Sequence, residues 1–84
     1  MRLNGKQLRE ARGRLGDLWG LGRPLHMTEM GRVLRLGVAD PGQSIRDYER
    51  GTTKISGPVS LAIELLLSGA LPPGGFRQYL RGEG

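Results

Sequence analysis

The chain has 84 residues, of which 37% are hydrophobic and 25% charged, with 13 Lys or Arg against 8 Asp or Glu, a single His and no Cys. A chain this short holds one domain with one small core, and its inventory excludes disulfide staples, thiol nucleophiles and metal sites built on Cys or His clusters. The net charge of +5, carried by eleven arginines and two lysines, favours a polyanionic partner, because the planar guanidinium fork matches phosphate and guanine.

The chain opens Met1-Arg2-Leu3-Asn4, without the apolar stretch of a secretion signal, so the expected address is the cytoplasm. The first predicted helix covers residues 4–15. Asn4 suits its N-cap, Leu8, Ala11 and Leu15 share one face, and Arg2, Lys6, Arg9 and Arg12 fall roughly opposite. Glu10 and Arg14 stand four apart, the spacing of an intrahelical ion pair. Residues 16–24 show no periodicity; Trp19 reads as the core anchor of an irregular loop, with a stacking platform for a base as the alternative. A second helix over residues 27–35 turns Met27, Met30, Val33 and Leu34 inward and Arg32 and Arg35 outward, with Gly37 as its C-cap.

Asp40-Pro41-Gly42-Gln43 is a helix start: Asp caps, Pro suits the first turn, and Gln43 stands where a capping box closes. The third helix ends at Gly51. Ile45 and Tyr48, with Ser44, face inward, while Gln43, Arg46, Asp47 and Arg50 recur at i, i+3, i+4 and i+7 and line an exposed stripe. Thr52-Thr53-Lys54 is a polar loop. The fourth helix opens at Ser56-Gly57-Pro58 and ends near Ser68-Gly69. Val59, Ala62, Ile63 and Leu66 form its main apolar face, and Leu61 and Leu65 a second. That perimeter exceeds what one core consumes, and calls for cover by the C-terminal segment or by a second subunit. The run over residues 61–67 contains Glu64 and falls short of the ~18 residues of a membrane span. Pro72-Pro73-Gly74-Gly75 breaks the chain, and Phe76, Tyr79 and Leu80 suit one docking turn before a frayed end. The expected organisation is all-α with four to five helices, a helical domain over residues 1–70 and a short segment over 71–84.

The third helix carries the chemistry. Gln bonds bidentately to adenine and Arg to guanine, and an acidic neighbour such as Asp47 orients an arginine or accepts from cytosine. The alternative is a solvated face on which Arg46 and Arg50 pair with Asp47 and Glu49. Residues 1–35 carry eight cations and three anions, residues 36–54 three of each. The electrostatic footprint thus falls on the first helix, which suits DNA reading if that helix skirts the backbone while the third specifies sequence. His26 beside Glu29 is too little for catalysis; the expectation is a non-enzyme without cofactor, metal, membrane or small-molecule substrate.

Ser44-Ile45-Arg46-Asp47-Tyr48-Glu49-Arg50-Gly51 resembles the recognition-helix ending of the lambda-repressor-like (Cro/XRE) helix-turn-helix family, roughly S/T-I/V-S-x-W-E-x-G. Glu29-Met30-Gly31-Arg32-Val33-Leu34 is similar to its second helix, E-L-A-x-L-L; Gly5-Lys6-Gln7-Leu8-Arg9-Glu10-Ala11-Arg12 is similar to its first, and Ser56-Gly57-Pro58-Val59 to the start of its fourth. The resemblance spans about residues 5–67. It implies a double-stranded DNA binder acting as a phage-repressor-like or antitoxin-like regulator, with the third helix in the major groove. Gln43, Ser44, Arg46 and Asp47 would then face base edges, and Arg50, Thr52, Thr53 and Lys54 phosphates, with Arg9 added from the basic first helix. Glu49 would close a polar contact inside the domain. The family's Thr-Gln pair at the start of the second helix is replaced by His26 and Met27, and methionine makes no phosphate hydrogen bond. The connection between the second and third helices is about four residues longer than the compact pattern. A homodimer is expected, through Leu61, Leu65, Leu71, Phe76 and Tyr79. The alternative is an interaction module that keeps the fold and binds a protein partner instead.

Overall fold

A computed structural model describes residues 3–80; Arg2, placed above on the basic face of the first helix, and the chain beyond Leu80 lie outside the described residues. The described residues form four α-helices, α1 (Gly5–Leu18), α2 (Met27–Val33), α3 (Pro41–Arg50) and α4 (Gly57–Leu67), followed by a 3-10 turn (Arg77–Tyr79), and contain no strand. None of these helices is long and apolar enough to cross a membrane.

The starts of α1, α3 and α4 follow from their cap side chains. Asn4 accepts from the Gln7 N–H while the Gln7 side chain accepts from the Asn4 N–H, both at 2.8 Å. Ser56 accepts from Val59. Asp40 accepts from the Gln43 N–H at 3.2 Å, but the reciprocal half of the expected box is replaced, because the Gln43 side chain turns to Arg46 and Asp47.

The helix ends share one device. In α1, α2 and α4 the residue after the cap, and in α3 the cap itself, takes a left-handed conformation, and the next N–H reaches back along the last turn, satisfying carbonyls the helix leaves open. The bonds are Leu21 to Gly16, Leu36 to Gly31, Thr52 to Asp47 and Ala70 to Leu65. The left-handed residues are Gly20, Arg35, Gly51 and Gly69. Three are glycine, which adopts this conformation without a Cβ penalty. Arg35 (φ 55°) is the exception, and it corrects the expectation that α2 runs to Arg35 and is capped by Gly37. The first helix also runs a turn further than expected, to Leu18. Asp17 and Leu18 are exposed there, so the last turn adds nothing to the apolar stripe by which the helix was read.

The core joins Leu8, Ala11 and Leu15 of α1, Leu25, Met30 and Val33, Ile45 of α3, Ile55, and Ile63 and Leu66 of α4. The backbones of α2 and α3 approach closely at two points. A Cβ on Gly31 would lie 2.6 Å from the Pro41 carbonyl oxygen, and one on Gly42 would lie 2.7 Å from the Thr28 hydroxyl oxygen. Both positions are buried, so the two glycines let these helices approach more closely than side chains allow.

Leu80 enters the same core, making residues 71–80 continuous with the helical body. Phe76 stacks on Trp19, centroids 4.7 Å apart and rings 8° from parallel. The Tyr79 hydroxyl accepts from Arg35 at 3.3 Å. The C-terminal segment therefore covers Trp19 and the end of α2. It leaves Leu61, Leu65 and Leu71 uncovered, at 58%, 50% and 57% exposure.

Candidate nucleic-acid interface

The first half of α1 lies against the C-terminal half of α3. The approach is close enough that Gly5 has no room for a Cβ beside the Tyr48 and Glu49 carbonyls. Between the helices is an open cleft of about 430 Å³, lined by Gly5, Lys6, Arg9, Met27, Arg46, Glu49 and Arg50. Lys6 and Arg9 stand three apart on α1, Arg46 and Arg50 four apart on α3, so each pair presents one face to the gap. All four are exposed.

The one carboxylate on the cleft wall is already engaged. Glu49 takes the Arg12 guanidinium bidentately, Nε to Oε2 at 2.6 Å and Nη2 to Oε1 at 3.1 Å. Arg12 Nη1 donates to the Leu25 carbonyl at 2.7 Å. Arg12 thus ties α1 to α3 and to the segment before α2. This corrects the expectation that Arg12 is on the solvent face of α1; Glu49 closes a polar contact inside the domain, as the resemblance implied, and the alternative in which it pairs with Arg50 is not what forms. Among the described residues, no ion pair joins Glu10 to Arg14 either. With Glu49 occupied, and with no carboxylate within 4.0 Å of Lys6, Arg9, Arg46 or Arg50 among the described residues, the cleft is a concentration of positive charge. Four cations facing one gap repel one another, and an entering anion relieves that repulsion.

A smaller cleft of about 220 Å³ adjoins the first at Gly5, lined also by Leu3, Asn4, Tyr48, Gly51, Thr53, Lys54 and Ile55. The loop that supplies Thr53 and Lys54 is folded back onto α3 by the Thr52 and Thr53 N–H groups, which donate to the Asp47 carbonyl at 3.0 and 3.4 Å. The two clefts form a band around one end of α3, bringing together Arg9, Arg46, Arg50, Thr53 and Lys54 of the residues expected to touch DNA. Gln43, Ser44 and Asp47 line neither cleft. They are half-buried on α3, where Gln43 Nε2 donates to Asp47 Oδ1 at 3.0 Å and Arg46 Nη1 donates to Gln43 Oε1 at 2.8 Å. Thr52 is exposed outside both clefts.

Lys6 and Met27 line the cleft without having been expected at the interface. For Lys6 the signal was present, since it shares a face with Arg9. A second ion pair, with only its carboxylate fully buried, was not foreseeable from spacing. Glu29 is fully buried and takes Arg23 bidentately at 2.8 and 3.0 Å, together with the His26 backbone N–H at 2.7 Å. It locks the α1–α2 connection. Trp19, with one ring face on Phe76, belongs to that same structural side.

The chain matches no family model, and neither the curated proteins nor the solved structures contain a significant match to it.

Proposed function

We propose that this protein reads double-stranded DNA in a sequence-specific manner, as a small helix-turn-helix regulator of the repressor or antitoxin kind, with α3 in the major groove. The observation that carries the proposal is the cleft in which Lys6 and Arg9 of α1 meet Arg46 and Arg50 of α3. The charge of the first helix, which the sequence left without a fixed relation to the reading helix, lies beside it. The division of labour is the usual one for duplex readers: cations on the flank bind phosphates and set register, and the exposed stripe of the inserted helix meets base edges. The order of motifs and the close α2–α3 packing support the family resemblance.

A dimer completes the reading. Leu65 and Leu71 line a largely apolar groove of about 320 Å³ with Val33, Ala62 and Pro72, bordered by Arg35, and Leu61 is exposed on the same helix as Leu65. A second copy seated there removes apolar surface from water. Such a dimer would present two α3 helices, and reading two half-sites requires them about one helical turn, ~34 Å, apart.

Titration of a labelled duplex at increasing salt tests the proposal. Affinity should fall steeply with salt, and Lys6→Ala with Arg9→Ala should reduce the slope by roughly two units, about 0.9 for each phosphate no longer neutralised. A slope unchanged by the double substitution would remove the cleft from the interface. Absence of duplex binding at low salt would favour the interaction module.

A further inference from the structure

We propose that Arg46 is the guanine reader of α3 and that Gln43 and Asp47 are positioning residues that hold its guanidinium, rather than readers of bases in their own right. The proposal rests on the DNA-reading function above. It follows from the chain of hydrogen bonds Arg46 to Gln43 to Asp47. A carboxylate only accepts and a guanidinium only donates. The Gln43 amide therefore has one permitted orientation, its NH2 toward Asp47 and its carbonyl toward Arg46. Both ends of the amide are engaged within the helix, at i+3 and i+4, where side chains meet across one turn.

Recognition of adenine would fall to the one N–H and one lone pair left on an amide already fixed by Arg46 and Asp47; turning the amide to present them to a base breaks those bonds and leaves Arg46 beside the three other cations of the cleft without this acceptor. Arg46 gives up nothing by staying in place. It spends one N–H of five on Gln43, leaving its Nε–Nη2 edge for the O6 and N7 of a guanine. The Asp47 carboxylate polarises the Gln43 amide, which strengthens the hold of its carbonyl on the guanidinium. Asp47 thus acts on Arg46 through Gln43, and the three residues specify one base pair instead of three.

The test is the affinity of each variant for a preferred duplex and its single-base-pair replacements, with circular dichroism melting confirming that the substitutions leave the fold intact. Wild type should prefer guanine at one position. Arg46→Ala should erase that preference, a loss of roughly ten- to a hundredfold. Gln43→Ala and Asp47→Ala should weaken it about three- to tenfold at the same position, and Gln43→Ala should add little once Arg46 is alanine. Asp47→Asn should restore most of the preference, because its carbonyl still accepts from Gln43. If Gln43→Ala flattens a preference at a different base pair, independently of Arg46, the positioning role is overturned while DNA reading stands. If wild type shows no preference at any position, both fall together.

Discussion

Arg46 and Lys54 are both exposed cations lining adjoining clefts, yet their environments give them different signatures. Arg46 is held by a neighbouring amide; Lys54 stands in a polar loop at the rim of the smaller cleft. A point charge on a flexible stem neutralises phosphate without reading sequence. Lys54→Ala should therefore weaken binding equally on all duplexes and lower the salt slope by about one unit, as measured by anisotropy on two unrelated sequences. Weakening confined to one sequence would place Lys54 among the readers. At this scale the sequence was informative about residue types and poor about pairings. The stripe Gln43, Arg46, Asp47 and Arg50 followed from helical spacing. That Glu49 prefers Arg12 over Arg50 depends on where α1 lies, which no local spacing encodes.

The helices were legible wherever a cap or an apolar stripe marked them, as at Asn4, Asp40, Ser56 and Gly51. They were misread where neither did: the exposed last turn of α1, and the end of α2, where Arg35 takes a conformation normally left to glycine. Two features then fix how the elements sit. Arg12→Ala would leave Glu49 partly buried without its partner, side-chain exposures of the pair being 14% and 9%. The expected cost is on the order of 3 kcal/mol, read from urea denaturation, and replacing both residues by apolar ones of similar size should cost less. An equal or larger cost in the double variant would mean that the pair is not coupled. Gly42→Ala would push a methyl into Thr28 and separate α2 from α3, costing about 1–3 kcal/mol. Gly13→Ala, inside α1 with nothing within 4 Å of its Cβ, is the matched control and should be far milder. Equal effects would show that close packing of α2 on α3 is not what Gly42 provides.

For the whole molecule, four cations gather where α1 and α3 meet, and exposed leucines occur on α4 and at Leu71. Phe76 and Tyr79, grouped from sequence with the exposed leucines, instead meet Trp19 and Arg35. Stacking partners so far apart in the chain could not be paired by spacing. If Leu61 and Leu65 seat a second copy, Leu61→Glu with Leu65→Glu should yield a monomer by sedimentation and weaken duplex binding without lowering thermal stability at low concentration. An unchanged sedimentation coefficient would place the dimer interface elsewhere. The most direct test of sequence reading by α3 is a selection of bound duplexes from a random library at near-physiological salt. Reading by a dimer should enrich a palindrome with half-sites about one helical turn apart and a guanine in each half that disappears in the Arg46→Ala selection. A bound pool as random as the starting library would contradict sequence reading by α3.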